Sequence, residues 1–408
     1  MDVAIIGSGP AGLFTGLNID KNANVYIFEK NDIAGRKLLM AGAGMCNFTH
    51  SGDIKEFYDK YGDEKKFLRT AFSKCSNRDI INFFAERGIE SEEDKNGKIF
   101  PVSRKSRDIL NILLEECRKN GVIFRYNESV IKLSEENDKF KIITSKGEYS
   151  FDKVVITTGG KSYPTTGSSG DGYKFAELLG HSVINIRPSL TAVTVKEYIF
   201  GEIAGLSFVE KKIALFRKDK KVKEWQGDIL LTNKGISGPG ILDYSRYMEN
   251  GDVIKVNFAD KSEESVRDEF LSYVKSDGKQ GVKRYLKNYG LSENMMKIII
   301  EKSLLNVESK IAEVSKESRE LLIKLITAHP FIINEVDGFN CAMATAGGVS
   351  LKEVNTKTME SKIKKGVYFA GEVLDIDGNT GGYNIQAAFS TGYLAAIDIN
   401  LKLNGDEN

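Results

Sequence analysis

The sequence predicts an α/β fold, with a parallel sheet assembled from both ends of the chain and a β-rich plus helical portion inserted between them. Three observations predict it. Near the start, the apolar run Val3-Ala4-Ile5-Ile6 leads into Gly7-Ser8-Gly9-Pro10-Ala11-Gly12, a helix-like segment from Leu13, and a second run Val25-Tyr26-Ile27-Phe28 closed by Glu29. Near the end, Val367-Tyr368-Phe369-Ala370-Gly371-Glu372 is a short strand closing on glycine and acid, followed by a glycine-rich loop and a long helix from Tyr383. Between about Ser189 and Pro330 the character changes to short alternating runs and then to lysine- and glutamate-rich helical spacing.

The opening stretch reads as strand, glycine turn, helix and second strand, the arrangement that holds a dinucleotide. Gly7 permits the tight turn, Gly9 lets backbone approach a pyrophosphate, and Gly12 lets the helix pack closely on the strand. Free N–H groups opening the helix after Pro10, from Ala11 onward, face the phosphates. Glu29, with Lys30 beside it, stands where a carboxylate accepts hydrogen bonds from ribose hydroxyls, and its charge repels a 2′-phosphate. FAD or NAD is therefore favoured over NADP at this site.

The 408 residues suffice for two or more folding units. The 58 basic and 57 acidic residues leave a formal charge of +1, which gives no signature for nucleic acid or an anionic membrane. The first strand begins within a few residues of Met1 and no apolar run is long enough to span a bilayer, so a cytoplasmic location is expected. Cys46, Cys75, Cys117 and Cys341 are too widely spaced for a disulfide framework or a metal site.

After Glu29, the stretch from Asp32 to His50 is dense in glycine and has no long apolar period. A loop of this length beside a nucleotide site is commonly functional. Gly35, Gly42 and Gly44 would let backbone come close to a ligand, and Arg36 and Lys37 could reach phosphates; solvated charges on a surface loop are the alternative. Helices are expected over Arg78–Gly88 and Ser106–Asn120, the second with Cys117 on its apolar stripe. Short strands follow at Val122–Tyr126, Val130–Leu133, Phe140–Thr144 and Glu148–Phe151, and Val154–Ile156 leads into Thr157-Thr158-Gly159-Gly160. A helix is expected over Tyr173–Leu179. The expected division is 1–188 and 331–408 for the nucleotide-binding portion, with 189–260 β-rich and 261–330 helical as the insertion.

The end of the chain suggests which dinucleotide is held. A flavin accepts hydride at N5 when the charge appearing around N1 and the C2 carbonyl is stabilised, and a helix N-terminus supplies partial positive charge and N–H donors. Gly381-Gly382-Tyr383-Asn384-Ile385, opening the last helix, has that composition, with Gly371, Glu372 and Asp375 just upstream. FAD is long enough to use the first segment for its AMP half and the last for its ring. No second glycine fingerprint is present, so NADH or NADPH would visit the flavin only transiently as reductant.

These residues resemble the BaiN-like (YhiN-like) family of bacterial NAD(P)/FAD-dependent oxidoreductases, some of whose members are called aminoacetone oxidase family enzymes. The resemblance runs nearly end to end: GSGPAG at Gly7–Gly12, AGRKLLMAGAGMCNFTH at Ala34–His50, TTGGKSYPTTGSSGDG at Thr157–Gly172, LLTNKGISGPGIL at Leu230–Leu242, ATAGGV at Ala344–Val349 and YFAGEVLDIDGNTGGYNIQAAFSTG at Tyr368–Gly392. It implies a Rossmann-like FAD-binding domain made of both chain ends. The chain departs from the pattern at Ala41, Ala43 and Met45, where the family usually has SGGGR or SGxGR. The resemblance implies reduction of a carbon–carbon double bond conjugated to a ketone.

The leading expectation is an FAD-dependent oxidoreductase that passes hydride to an activated C=C bond of a small molecule such as an enone. A flavin amine or aminoketone oxidase using oxygen is the alternative. A flavin-binding redox sensor or an RNA-modifying flavoprotein is the third class, the near-zero charge counting against RNA. Candidates to supply the proton are His50, Cys46, Lys37, Tyr163 and Tyr383. Oligomeric state is not legible.

Overall fold

Four of the five residues in the first strand are fully packed, as expected of a parallel strand covered on both faces. In the computed structural model, which describes residues 1–62, 65–94 and 96–405, the strands β1 (Asp2–Ile6), β2 (Asn24–Phe28), β3 (Ile123–Arg125), β4 (Lys153–Ile156) and β5 (Val367–Phe369) form one sheet. Its order is β5-β4-β1-β2-β3 and every pairing is parallel. Ile6 is in register with Phe28 and Ile156, and Ile156 with Phe369. The segments that follow four of the strands, at Gly7, Glu29, Thr157 and Ala370, therefore leave the same carboxyl edge, where open α/β sheets place their ligands.

The chain divides into two compact units, Met1–Ser189 with Phe339–Asn408, and Leu190–Gly338. Residues 406–408 of the expected second nucleotide-binding segment lie outside the described residues.

In the first unit, helix α1 (Pro10–Asn18) starts with proline at its first turn, where the missing N–H costs nothing. The helix over Ser106–Lys119 buries Ile109, Leu110, Leu113 and Cys117 on one face. Cys117 donates to the Leu13 carbonyl at 3.3 Å, and burial pushes its thiol up to about 12, so it is a core residue. Ser76 and Asp79 form a reciprocal capping box that starts the helix Asn77–Ala85, one residue earlier than its apolar spacing predicts. Val130–Glu136, Lys139–Thr144 and Glu148–Phe151, at three of the expected short strands, pair as an antiparallel meander. A small sheet of Thr49–His50, Lys98–Pro101 and Ser91–Glu93 was not expected, because strands of two to four residues are too short to show a period.

The second unit is a closed barrel of six strands, Val193–Val195, Gly235–Ser237, Lys220–Leu231, Ser207–Arg217, Val253–Asn257 and His329–Val336 in spatial order, with helices including Glu263–Asp277, Glu293–Lys302 and Lys316–Thr327. Its central hairpin, Ser207–Arg217 with Lys220–Leu231, is longer than the short alternating runs of this stretch predict. Charged side chains on the outer face hide the alternation there. The strand His329–Val336 pairs with Val253–Asn257 and Val193–Val195, so residues 331–338 belong to the barrel and not, as expected, to the nucleotide-binding portion. Among the described residues no helix is long and apolar enough to cross a membrane.

The barrel core holds His329 among Phe200, Phe258 and Phe331, its ring centroid 4.9 Å from that of Phe200 and 4.7 Å from that of Phe331. Burial pushes His329 from 6.5 down to about 4, against a hydrogen bond to the Leu325 carbonyl. Because the folded value is depressed, the unfolded chain takes up a proton first as pH falls. The histidine leaves stability unchanged above 6.5 and erodes it progressively down to about 4. Denaturant unfolding between pH 7 and pH 4 should show the natural protein losing roughly 3 kcal/mol more than the His329→Leu variant. Parallel pH profiles would contradict this assignment.

Candidate functional site

The first turn is built of backbone brought too close for side chains. Gly7 has φ +106°, and a Cβ there would lie 2.6 Å from the Thr157 carbonyl oxygen. A Cβ on Gly12 would lie 2.0 Å from the Gly7 oxygen. Gly9 is different: its Cβ position has nothing within 4 Å. The turn thus has a packed side at Gly7 and Gly12 and an open side at Gly9, above the N-terminus of α1.

Glu29 is buried at the end of β2 and accepts four hydrogen bonds, from the Ser8 hydroxyl at 2.5 Å, the Ser8 N–H at 3.2 Å, the Asn31 N–H at 2.9 Å and the Asn31 side-chain amide at 2.7 Å. The acid expected to meet ribose therefore also fixes the glycine turn through Ser8. Lys30, expected at the cofactor, is committed to Asp171 at 2.7 Å and Ser169 at 2.5 Å. Burial works against the Asp171 carboxylate, but Lys30 and Ser169 outweigh it and hold the group below its usual value.

In the glycine-dense stretch, Arg36–Met40 is a single helical turn. Arg36 pairs with Asp32 at 2.6 Å on the surface, where solvent screens the contact. Lys37 points inward. Its ammonium lies 2.6 Å from Glu372 Oε2 and 2.5 Å from the Ser162 hydroxyl. The other Glu372 oxygen accepts from the Thr345 N–H at 2.8 Å and from Ser162 at 3.1 Å, while Thr345 Oγ1 accepts from the N–H groups of Lys161 and Ser162. Gly160 is wedged here, its Cβ position 2.4 Å from Thr345 Oγ1 and 3.0 Å from Glu372 Oε1. Four separate stretches of sequence meet at this carboxylate.

The last helix, Tyr383–Leu403, starts after Gly381 at φ +124° and Gly382 at φ +94°. Its first helical hydrogen bond runs from Gln386 N–H to the Gly382 carbonyl at 3.0 Å, so the N–H groups of Tyr383, Asn384 and Ile385 precede the helical ladder. A cleft at this end is lined by Gly371, Glu372, Ile376, Asn384, Ala387 and Thr391. The helix packs directly on α1. A Cβ on Gly392 would lie 2.6 Å from the Ala11 oxygen, Thr15 donates to the Gly392 carbonyl at 3.1 Å, and Ala11, Ala370 and Ala388 form a cluster of small side chains. The Asn384 side chain both donates to and accepts from the backbone of Gly378 at 2.8 Å, so it braces the preceding loop. Asp375 donates its N–H to the Val349 carbonyl, holding the same loop.

The structure separates the proposed proton donors. Both His50 ring nitrogens are engaged by backbone carbonyls, Ser51 at 3.0 Å and Asn96 at 2.9 Å. Cys46 is fully buried, and burial pushes its thiol up to about 12. The Tyr383 ring stacks on His50 at 4.9 Å and meets Phe57 edge-on at 5.0 Å. His50, Cys46 and Tyr383 are thus parts of the packing. Tyr163 is half-buried in the left-handed region, φ +50°, its backbone tied to Phe339 and Thr166.

Five buried polar side-chain atoms in this unit find no hydrogen-bond partner among the described residues, and Asn47 Oδ1, Thr158 Oγ1 and the Tyr173 hydroxyl are three of them, the others being Arg125 Nε and His181 Nδ1. Asn47 Oδ1 lies 2.9 Å from the Cβ position of Gly382, at the opening of the last helix. Thr158 follows β4 at the carboxyl edge, and burial together with the charges of Glu372 and Asp375 pushes the Tyr173 hydroxyl well above its usual range. An open cradle at Gly9 and the unpartnered Thr158 hydroxyl at the sheet edge fit a bound dinucleotide. Ser162, Thr345, Asn47, Thr158 and Tyr173 were missed as site residues. The glycines beside them signalled the segments, and only the fold gave the side chains a direction.

A family model described as the HI0933-like protein Rossmann domain matches residues 1–398. The chain belongs to this family. HI0933-like relatives include a ribosomal RNA dihydrouridine synthase of Haemophilus influenzae, 32% identical over 403 residues, covering 97% of this chain and 98% of that one. A 3-dehydro-bile acid delta(4,6)-reductase of Clostridium scindens is 29% identical over 403 residues, covering 96% and 97%. Among solved structures, a 3-ketosteroid-delta4-(5alpha)-dehydrogenase from Rhodococcus jostii shares the fold with a TM-score of 0.51 at 13% identity, over 98% of this chain and 96% of that chain. The resemblance read from the motifs therefore holds across the chain, and the fold is an FAD-binding Rossmann fold of the oxidoreductase kind.

The departure at residue 43 has a physical cost. Ala43 sits at φ +56°, in the left-handed region that disfavours a Cβ by about 1–2 kcal/mol. Glycine there gives back part of that gain through a freer unfolded chain. Ala43→Gly should raise the unfolding free energy by about 0.5–1 kcal/mol in a denaturant titration, and a lower midpoint would show that Ala43 is not strained.

Proposed function

We propose that this chain is an FAD-dependent reductase that adds a hydride and a proton across a C=C bond conjugated to a carbonyl. The observation that carries the reading is the packing of Ala11, in the Gly7–Gly12 turn, on Gly371 and on Gly392 of the last helix, residues hundreds of positions apart, with Gly371 and Asn384 at that helix's opening lining one cleft. FAD bound there would supply the two-electron carrier that takes hydride from NADH or NADPH and gives it to the substrate. The chain's own residues do the rest. The open side of the turn at Gly9 and the first N–H groups of α1 take the pyrophosphate, and Glu29 takes the ribose. The N–H groups of Tyr383, Asn384 and Ile385 offer positive potential to the ring edge where charge develops. Lys37, held by Glu372 and Ser162, is a cation balanced by a carboxylate beside the cleft. Of the proton donors expected from the sequence, Tyr163, half-buried and next to Ser162 in the chain, is the phenol assigned to hold the substrate's proton.

The names of the relatives support the reaction class. Dihydrouridine is uridine saturated across C5=C6, a bond conjugated to the C4 carbonyl, and a delta(4,6)-reductase acts on double bonds conjugated to a 3-ketone. For the substrate, a small enone is one reading. Uridine in ribosomal RNA is the second, favoured by the higher identity of the Haemophilus influenzae relative. The +1 net charge does not bar it, since a sum says nothing of how charge is distributed.

Gly9→Ala separates cofactor binding from folding. Its Cβ enters open space, so unfolding free energy should stay within about 0.5 kcal/mol while FAD affinity, read by flavin fluorescence, falls at least about tenfold. Unaltered affinity would remove the turn from the cofactor. Tyr163→Phe should keep the flavin spectrum and lower single-turnover reduction of an enone or a uridine-containing rRNA fragment by about 10²-fold or more. Full activity would assign the proton elsewhere. Fast reoxidation of the reduced protein by oxygen, with no enone or uridine turnover, would replace the reductase by an oxidase.

A further inference from the structure

The near neutrality of the chain conceals one concentrated charge. The longest strand pair in the barrel unit, Ser207–Arg217 and Lys220–Leu231, turns through Arg217-Lys218-Asp219-Lys220-Lys221-Val222-Lys223, with five basic residues and one acid among seven. Residues 218 to 222 are all exposed. Arg217 is anchored by the buried Asp252 at 2.8 Å and by Glu249 at 2.8 Å, and Lys221 makes a surface pair with Glu224 at 2.9 Å. Lys223 is laid over the Tyr247 ring, 4.0 Å from its centroid, which fixes where that ammonium stands. Among the described residues Lys218 and Lys220 make no ion pair, so even with Asp219 between them the tip keeps a net positive charge.

The turn itself adds a second observation. Lys218 has φ +48° and Asp219 has φ +61°, the pair of left-handed residues that a two-residue hairpin needs. Asn-Gly or Asp-Gly is the favoured sequence for such a turn. A lysine there is held in a conformation that costs stability, and it gains no packing in return, because it is exposed. What it does provide is a cation at the outermost point of the hairpin.

We propose that the Arg217–Lys223 hairpin tip is a docking surface for the phosphate backbone of RNA. The inference rests on the second substrate reading above, uridine within ribosomal RNA. A strand of RNA carries one phosphate per nucleotide, and a row of lysines on a twisted hairpin matches it by charge without reading sequence. Lys218, Lys220, Lys221 and Lys223 contact phosphates, and Arg217, held by Asp252, orients the turn.

The test uses the FAD-loaded protein and transcripts of the large and small ribosomal RNAs, which carry no modified bases, with binding measured across a series of salt concentrations. The natural protein should bind with a steep salt dependence. The variant K218Q/K220Q/K221Q/K223Q should bind at least about tenfold more weakly near 100 mM salt, with the log–log slope reduced by roughly 3. Unchanged flavin content and melting temperature show that the variant folds. Equal affinity and equal slope for the two proteins would overturn the proposal. So would loss of binding to phosphatidylglycerol vesicles with RNA binding retained, since the surface would then belong to a membrane. Dihydrouridine content of the same transcripts reports separately on the reaction: a variant that loses RNA binding while the natural protein makes no dihydrouridine upholds the surface and removes the substrate reading.

Discussion

The nucleotide-binding unit depends on backbone packing directly against backbone where the two ends of the chain meet. Gly12 lies against the Gly7 carbonyl, Gly392 against the Ala11 carbonyl, and Gly371 against the Ala11 methyl, its Cβ position 2.9 Å away. With no side chains to hold them apart, α1 and the last helix converge on the same edge of the sheet. Both present early N–H groups near that edge. A single methyl at Gly12 or Gly392 would have to displace main-chain atoms, which a packed interior resists. The constraint therefore sets the site's geometry and the identity of its residues together.

Around that contact, charge is placed with little freedom. The Glu372 carboxylate joins Lys37, Ser162 and Thr345, and Glu29 joins Ser8 and Asn31. Taking such groups partly out of water offsets most of the gain from pairing them. Their effect lies more in geometry than in stability: each fixes the direction in which neighbouring segments leave the sheet. The barrel unit handles charge in the opposite way, displaying lysines on an exposed turn while its core pushes a histidine into the neutral form.

Proximity to the site in sequence did not make a residue available for chemistry. His50 and Cys46 both fall in the glycine-dense stretch, yet one has both ring nitrogens taken by carbonyls and the other is enclosed. Tyr383 opens the last helix, but its ring is part of an aromatic stack with His50 and Phe57. Spacing assigns a residue to a loop or a helix end. Which way its side chain turns depends on packing contacts with residues far away in the chain.

The sequence by itself determined the parallel sheet, the glycine turn, the acid after the second strand and the opening of the last helix. Each of these is a local requirement, written in short runs of apolar residues, in glycine where backbone must come close, and in a few acids. The closing barrel strand at His329–Val336 and the long hairpin were not legible, because barrel closure and outward-facing charges are satisfied across strands and leave no period along one. Only the tertiary structure decided that Lys37 turns to Glu372, 335 positions away, while Arg36 stays with Asp32. The reason is physical: a long cationic side chain can reach several partners, and the choice among them is made by which carboxylate the fold has already removed from water.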